Sequence, residues 1–189
     1  MQLIRGINIE KYIEALGQFR IEIFQEYPYL YEGDLDYEKK YLSRYSRSPE
    51  SMLAMIHDAQ GMLGACTAIP LSDEDQDFKK PFEKDNLDEI FYIGEVMIRA
   101  DSRGKGVGTN LLLNIMGLID TSQYKKICLY TVERDPHHPL CPTNYRSPDS
   151  LWRRLGFMKD PDRVVYYHWK DIGEEVETQK PMNVWLKAT

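Results

Sequence analysis

Apolar positions in the N-terminal part of the chain first alternate with polar ones and then recur at helical spacing. Residues 2–9 alternate, which predicts a first strand. From residue 9 onward, apolar side chains recur every three to four positions until Pro28, as on one face of a helix. A second helix is predicted over residues 36–46 by the same spacing. The chain is therefore predicted to begin with one strand and two helices.

The middle of the chain predicts a hairpin, a polar excursion and a further strand. Residues 51–57 and 62–69 flank a short turn, which is typical of two antiparallel strands. The stretch 72–89 is polar, acidic and interrupted by Pro81, so it is predicted to be a loop. Residues 91–99 predict the next strand of the same sheet.

Helices and strands alternate through the rest of the chain. The predicted elements are a helix over 106–119, a strand over 126–132, a Pro- and His-rich connection over 135–146, a helix over 149–154 capped by Ser147, and strands over 164–170 and 182–186. Gly156 is a favourable stop for the last helix. This order predicts a mixed α/β sheet in a single domain that spans residues 1–189.

The composition excludes several classes of protein. The net charge is −6, and Lys and Arg are interspersed with acids, which argues against a dedicated nucleic-acid binder. The three cysteines have no C-x-x-C spacing and the N-terminus has no basic-then-apolar leader. No apolar run approaches the roughly 20 residues that span a bilayer. We therefore expect a cytoplasmic protein without nucleic-acid or membrane partners.

A glycine-rich loop between a strand and a helix carries the clearest chemical signal. The segment Arg103-Gly-Lys-Gly-Val-Gly108 is followed by Thr109. Glycines let backbone N–H groups converge on one point, and the start of the next helix adds unpaired donors and a positive dipole end. Together with the side chains of Arg103 and Lys105, these groups predict a cradle for a pyrophosphate.

Two common phosphate-binding motifs do not fit this loop. A Walker A loop requires Gly-Lys before Ser or Thr, but Lys105 is followed by Gly106. A Rossmann loop requires a third glycine where this chain has Thr109. The pattern that does fit is R/Q-x-x-G-x-G/A, which is filled by Arg103, Gly106 and Gly108.

This third pattern resembles the acetyl-CoA motif of the GNAT superfamily of N-acetyltransferases. The segment Leu151-Trp-Arg-Arg-Leu-Gly-Phe157 is similar to the second signature of that superfamily and follows after one intervening strand. The order of predicted elements is similar too, so the resemblance covers essentially the whole chain. It implies an α/β, single-domain GNAT-like fold, with a mixed, mostly antiparallel central sheet that is splayed at strands 4 and 5 and flanked by helices.

The C-terminal third resembles one branch of the superfamily more narrowly. Three segments carry this likeness: His138-Pro-Leu-Cys-Pro-Thr-Asn-Tyr-Arg146, Trp169-Lys-Asp-Ile-Gly-Glu174 and Lys180-Pro-Met-Asn-Val-Trp185. The likeness points to site residues but implies no particular acceptor.

The resemblance implies an acyl-CoA-dependent N-acyltransferase that uses acetyl-CoA as co-substrate and a primary amine as acceptor. The acyl-CoA arm is expected along the backbone of Met97, Ile98 and Arg99, where one N–H would polarise the thioester carbonyl. The remaining cofactor-binding residues are expected to be Arg103, Gly104, Lys105, Gly106, Val107, Gly108 and Thr109. No metal is expected, since His137 and His138 have no acid or cysteine at ligand spacing.

Glu95 is the candidate general base, because a protonated amine must lose a proton before it can attack a thioester. It is the one carboxylate inside the strand predicted over 91–99. The alternatives are a salt bridge with Arg99 or a solvent-facing position. Strand alternation puts Glu95 and Tyr92 on opposite faces, so Tyr92 would face the reaction unless a bulge resets the register.

Tyr145 is the candidate general acid. Many superfamily members have tyrosine where this chain has Trp152, and an indole is not a useful proton donor at neutral pH. Cys141 and His138 are weaker candidates for this role, and a packing role for Tyr145 is the alternative. The acceptor is expected to contact Tyr31, Tyr41, His138 and Trp169, since the two early helices border the acceptor site in this fold.

Several questions stay open at this level. A catalytically impaired acyl-CoA sensor is the alternative to an enzyme, because Trp152 replaces the usual tyrosine. The acceptor could be a small-molecule amine or a protein amine, and O-acylation or a larger acyl group is compatible with the same residues. The late strands could pair in a homodimer.

Overall fold

The computed structural model describes residues 1–189 and contains one seven-stranded sheet. The strands are β1 (Gln2–Arg5), β2 (Met52–Asp58), β3 (Gly61–Pro70), β4 (Ile90–Ile98), β5 (Lys126–Val132), β6 (Met158–Trp169) and β7 (Thr178–Ala188). The helices are α1 (Ile13–Phe24), α2 (Leu35–Arg47), α3 (Gln76–Lys79), α4 (Val107–Met116) and α5 (Asp149–Arg154). The strand order is β1-β2-β3-β4-β5-β7-β6. None of the helices is long and apolar enough to cross a membrane.

The sheet is antiparallel except where β4 and β5 run parallel over four residue pairs, from Ile90 opposite Lys126 to Ile93 opposite Leu129. Beyond Ile93 the two strands separate, and β5 continues in pairing with β7 only. The predicted mixed, mostly antiparallel sheet that splays at strands 4 and 5 is therefore confirmed. The splay leaves one backbone edge of the second half of β4 without a strand partner.

Apolar side chains cover both faces of the sheet. On one face, α1 and α2 pack against residues such as Tyr92, Met97 and Tyr130. On the other face, α4 and α5 pack against Phe91, Ile93 and Leu129. Alternate residues of the central strands thus enter two separate cores, which is the pattern of a sheet buried on both sides.

Three predicted elements differ from the structure. Residues 6–12 form a 3₁₀ helix, so β1 ends at Arg5, because Gly6 takes a left-handed φ of 52° that no extended strand accommodates. The acidic stretch 72–89 contains α3 and short 3₁₀ turns, since Phe78 and Phe82 bury their rings. β6 starts at Met158, and its pairing with β7 is interrupted between Asp160 and Val164.

A β-bulge at Gly94 changes which side chains of β4 share a face. Thr67 of β3 lies opposite Glu95, and the next residue, Ala68, lies opposite Ile93, so Gly94 is an extra residue in the strand. The bulge resets the alternation and places Glu95 on the same face as Tyr92. It answers the question of register that the sequence left open.

We expect Gly94→Ala to destabilise the fold by about 1–3 kcal/mol, because overpacking a buried site forces side chains to move. A β-carbon at this position would overlap the Tyr45 hydroxyl and lie 2.8 Å from Thr67 Oγ1. Urea unfolding of the variant measures the change in free energy. Gly108→Ala is the matched control, since its β-carbon meets ordinary contacts at 3.6 Å or more. Equal stabilities for the two variants would contradict this account of the bulge.

Candidate active site

The loop between β4 and α4 presents a row of free backbone donors. Gly104 and Gly106 have φ values of 74° and 82°, a left-handed conformation that favours glycine. None of the six N–H groups from Gly104 to Thr109 donates to a backbone or side-chain acceptor. A β-carbon at Gly104 or Gly106 would meet nothing within 4 Å, so the space in front of the loop is open. These donors at the N-terminus of α4 fit an anionic group such as a pyrophosphate.

Positive side chains flank the loop, but that of Arg103 is already bound by other groups of the chain. Arg103 donates from Nε to the carbonyl of Ile98 at 3.0 Å, and its Nη1 lies 2.5 Å from the Glu26 carboxylate. Lys105 is exposed beside the loop. Val107 and Gly108 begin α4, and Gly108 approaches the side chains of Val96 and Ile98. The loop is thereby joined to the splayed end of β4.

Every second residue of β4 presents its backbone groups at the free edge of the strand. The N–H of Arg99 donates to the Leu63 carbonyl of β3 at 3.0 Å, and the Arg99 carbonyl accepts from Ser102. Because backbone groups alternate along an antiparallel pair, Met97 also pairs with β3, whereas Val96 and Ile98 turn their groups to the splayed edge. Of the three predicted arm-binding residues, only Ile98 has its backbone on the open side.

The side chains of the other two predicted residues are engaged elsewhere. Met97 is fully buried in the core beneath α1 and α2. Arg99 is bound to Asp58 and Asp101. Its hydrogen bond to Asp58, together with the bond from the Gln60 N–H, lowers the pKa of Asp58 to about 2. Val96, which the sequence did not single out, takes their place at the free edge of the strand.

A cavity of about 450 Å³ lies between α1, α2, β4 and the end of β6. Gly94 and Glu95, which directly precede the free edge of β4, are among its lining residues. Ten of its twenty lining residues are aromatic or apolar: Phe24, Tyr29, Tyr31, Tyr37, Tyr41, Phe78, Tyr92, Tyr167, Trp169 and Met182. The size is typical of a small-molecule site.

Glu95 lies at the base of this cavity with both carboxylate oxygens occupied. It is 6% exposed and pairs with Arg20 of α1. Tyr41 donates to Oε1 at 3.0 Å, Tyr45 donates to Oε2 at 3.3 Å, and the Thr67 hydroxyl also donates to Oε2. The alternative of an ion pair between Glu95 and Arg99 is not what the structure has, because Glu95 pairs with Arg20 of α1 and Arg99 pairs with Asp58 and Asp101.

Arg20 joins two buried carboxylates. Its Nε donates to Glu38 Oε2 of α2 at 2.5 Å, while Nη1 donates to Glu95. Burial lowers the pKa of Arg20, but the adjacent Glu95 and Glu38 carboxylates raise it well above its usual value. The guanidinium therefore stays charged. Burial and the Glu95 charge likewise raise the pKa of Tyr41 far above its usual range, so its hydroxyl stays protonated.

The sequence did not identify Arg20 or Glu38. A signal was present, because Arg20 interrupts an apolar stripe between Leu16 and Phe24, all of which are buried. Glu38 similarly shares the buried face of α2 with Tyr41. A charged residue on the apolar face of a helix needs a buried partner, and that requirement could have pointed to both.

Three of the four predicted acceptor residues line the cavity: Tyr31, Tyr41 and Trp169. The ring of Tyr41 already lies against the guanidinium groups of Arg20 and Arg44, at 4.4 and 4.0 Å. Trp169 donates from Nε1 to the Tyr29 carbonyl at 3.1 Å. His138 is not part of the wall and lies 6.0 Å from the ring of Tyr27.

Tyr145 and Trp152 lie outside the cavity. Tyr145 packs edge-on against Tyr27 at 4.7 Å, and burial together with Tyr27 raises its pKa to about 12. A free thiol has a pKa of about 8.5, so a thiolate is too weak a base to remove this proton. Trp152 is buried on the opposite face of the sheet, and its Nε1 has no hydrogen-bond partner.

Comparison with solved structures identifies the class of fold. A ribosomal-protein-alanine N-acetyltransferase from Brucella melitensis is similar over 100% of both chains, with a TM-score of 0.63 and 13% identity. A GCN5-related N-acetyltransferase from Kribbella flavida covers 100% of this chain and 97% of its own, with a TM-score of 0.58 and 18% identity. An aminoglycoside 6′-N-acetyltransferase in complex with coenzyme A has the same coverage, with a TM-score of 0.56 and 14% identity.

The chain has the fold of the GNAT N-acetyltransferases. At these identities the likeness establishes the fold. The sequence matches no protein-family model and no curated protein.

We expect Arg20→Met to destabilise the protein by about 3–5 kcal/mol, because it leaves two buried carboxylates without their cation. Urea unfolding gives the free energy of unfolding of each variant, and Arg153→Met is the control. Arg153 is 64% exposed and lies 3.6 Å from Asp149, so its loss should cost less than about 0.5 kcal/mol. A small effect at Arg20 would mean that the buried pairing does not support the fold.

Proposed function

We propose that the protein transfers an acetyl group from acetyl-CoA to a primary amine. The observation that carries this proposal is the row of six free N–H donors from Gly104 to Thr109, placed beside the free edge of β4. The GNAT-like fold supports the proposal, as does the cavity that ends at the same strand. The strand thus connects a site for an anionic cofactor with a site for a second substrate.

The chain's own groups fit coenzyme A without rearrangement of the backbone. The six loop donors and the exposed Lys105 would hold the pyrophosphate. The backbone groups of Val96 and the N–H of Ile98 would pair with the pantetheine arm at the splayed edge, because the Ile98 carbonyl already accepts from Arg103. When bound, acetyl-CoA supplies the activated thioester. A backbone N–H at that edge would polarise its carbonyl, a contribution that costs no reorganisation because the strand is fixed on its other side by β3.

Glu95 is proposed to receive the proton of the amine through Tyr41. Both residues line the cavity, and the Tyr41 hydroxyl donates to Glu95 Oε1 at 3.0 Å. Since the carboxylate already accepts four hydrogen bonds, an amine reaches it most directly by giving a proton to the Tyr41 oxygen while Tyr41 passes its own proton to Glu95. Glu95 then acts as the base, as the sequence suggested, with a tyrosine between it and the substrate.

The role of Tyr145 is restricted to a hydrogen bond from its protonated hydroxyl. A phenol with a pKa of about 12 retains its proton when a thiolate leaves. Protonation of the thiol is therefore proposed to come from the nitrogen of the tetrahedral intermediate, which must lose a second proton to form the amide.

We expect Glu95→Gln to lower kcat/KM for the amine by about 10²–10⁴, the range for loss of a general base. Release of free thiol from acetyl-CoA measures the rate. Binding of acetyl-CoA should be unchanged, because Glu95 lies on the cavity side of the strand. A variant with full activity would remove Glu95 from the mechanism.

Two tyrosines provide a matched test of the proton path. Tyr41 and Tyr45 both donate to Glu95, but only Tyr41 lines the cavity. We expect Tyr41→Phe to lower kcat by at least tenfold and Tyr45→Phe to change it less than threefold, with both effects measured in the same assay. Equal losses would mean that the tyrosines only hold the carboxylate in place.

Gly106→Ala is expected to weaken acetyl-CoA binding roughly tenfold. A left-handed φ costs a non-glycine residue about 1–2 kcal/mol, so the free loop of the variant relaxes to another conformation and binding must restore the one that presents the donors. Gly173→Ala is the control, because its φ of 86° and open surroundings are similar while it lies far along the chain from the loop. Calorimetry gives both affinities. Acetyl-CoA binding without turnover on any amine would favour the sensor alternative, and no binding would refute the proposal.

A further inference from the structure

One side of the cavity wall is formed by a segment that lies in neither a helix nor a strand. Residues 25–34 connect α1 to α2, and five of them line the cavity: Tyr29, Tyr31, Glu32, Gly33 and Asp34. Connecting segments are ordinarily more mobile than the elements they join. Within this one, Leu30 has a φ of 54°, a left-handed conformation that persists in a non-glycine residue only when the surrounding structure imposes it. The segment therefore needs support from other parts of the chain.

Arg134, which follows β5, binds two carbonyl groups of this segment. Its Nε donates to the Pro28 carbonyl at 2.7 Å, and its Nη2 donates to the Tyr29 carbonyl at 2.7 Å. Neither carbonyl accepts from a backbone N–H. The Arg134 side chain is 11% exposed, and Arg134 is not among the residues that line the cavity. It thus supports the wall without forming part of it.

Asp171 fixes the orientation of the Arg134 guanidinium. Its two carboxylate oxygens accept from Nη1 and Nη2 of Arg134 at 2.7 and 2.8 Å, and Lys180 Nζ lies 3.1 Å from Oδ2. Burial raises the pKa of Asp171, but the hydrogen bonds from Arg134 and Lys180 outweigh burial and lower it, so the carboxylate stays charged at neutral pH. Only the planar fork of an arginine can bind a carboxylate with two nitrogens while it also donates to two carbonyls.

The turn after β6 holds the same segment through its backbone. The N–H of Ile172 donates to the Leu30 carbonyl at 2.7 Å, and the N–H of Glu32 donates to the Lys170 carbonyl at 2.9 Å. Asp171 lies between these two bonds in the chain. The arginine–aspartate pair therefore connects the two backbones at the point where they cross.

Two C-terminal sequence segments that the proposed reaction does not use meet at this pair. Trp169 and Asp171 belong to the segment 169–174, and Lys180 begins the segment 180–185. Trp169 donates from Nε1 to the Tyr29 carbonyl that Arg134 also binds. Both segments thus contribute to the site through the conformation of residues 28–32.

We infer that Arg134 is a positioning residue for the acceptor, because it holds residues 28–32 in the conformation that presents Tyr29 and Tyr31 to the cavity. This inference rests on the proposed function, since it takes the cavity as the acceptor site. A wall that is fixed before the ligand arrives avoids the cost of ordering it on binding. Arg134 contacts neither Glu95 nor the free edge of β4, so its loss should weaken binding of the amine and leave the transfer step unchanged.

Arg134→Lys tests the inference on the full chain, because lysine keeps the charge but lacks the planar fork. Arg163→Lys is the matched control, since Arg163 is also partly buried and binds two carboxylates, but it does not line the cavity or contact residues 28–32. Amide hydrogen exchange, followed by NMR, reports on the wall without a ligand. We expect the N–H groups of Glu32 and Ile172 to exchange at least tenfold faster in Arg134→Lys and at the wild-type rate in Arg163→Lys.

Calorimetry in the presence of coenzyme A gives the affinity for three amine probes: 2-phenylethylamine, 1,4-diaminobutane and glycinamide. For the probe that the wild type binds most tightly, Arg134→Lys should weaken binding at least fivefold and Arg163→Lys less than twofold. Thiol release from acetyl-CoA should show the same increase in KM for that amine, with kcat and the KM for acetyl-CoA within twofold of the wild type. A purely structural role would lower stability without separating KM from kcat.

A second variant decides if Arg134→Lys does not fold. Trp169→Phe removes one donor to the Tyr29 carbonyl and keeps an aromatic ring in the wall. We expect it to speed exchange at Glu32 and Ile172, and to weaken binding of the amine, by at least threefold each.

The outcomes separate the two proposals. Wild-type exchange rates at Glu32 and Ile172, an unchanged affinity for the amine, or a loss confined to kcat would overturn this inference and leave acetyl transfer standing. Faster exchange and weaker amine binding in Arg134→Lys, without thiol release by the wild type, would retain the positioning role and overturn the proposed function. Absence of binding of all three probes to the wild type would overturn both.

Discussion

The ion pair between Arg20 and Glu95 is the interaction on which the site depends. It connects α1 to the central strand β4, and through Glu38 it also connects α1 to α2. The helices that bound the cavity are thus fixed to its base by charge as well as by apolar packing. Charged groups buried in this way are costly, and hydrophobic residues of similar size would often give a more stable protein. Their presence beside the cavity agrees with a role in binding or proton transfer.

Two irregularities of β4 place this strand beside both the glycine-rich loop and the cavity. The bulge at Gly94 turns Glu95 toward the cavity, and the splay after Ile93 leaves the backbone edge of the next residues free. A regular sheet would have neither a bulge nor an unpaired edge at this position. Here they bring a carboxylate and unpaired backbone groups to adjacent positions, where a nucleophile and a thioester would have to meet.

The cavity combines charged groups with aromatic side chains in its wall. Tyr41 shows how closely the two are combined, since its ring lies between two guanidinium groups and its hydroxyl contacts Glu95. Tyr41 therefore holds the Glu95 carboxylate, and the proposed proton path runs through the same hydroxyl. Charged residues, among them Arg20, Glu38 and Glu95, distinguish this wall from a purely apolar one.

The sequence by itself determined the order of the elements, the glycine loop and the candidate base. Periodicity and glycine placement are local properties, so the strands, the helices and the left-handed residues Gly104 and Gly106 could be predicted from neighbouring residues. The partner of Glu95 could not be predicted in this way, because Arg20 is distant in the chain and meets it only when α1 packs on the sheet. The same is true of the contact between Arg20 and Glu38 and of the bulge, which depends on the pairing of β3 with β4. Local patterns specify elements, whereas ion pairs, strand register and cavities are decided by packing between them.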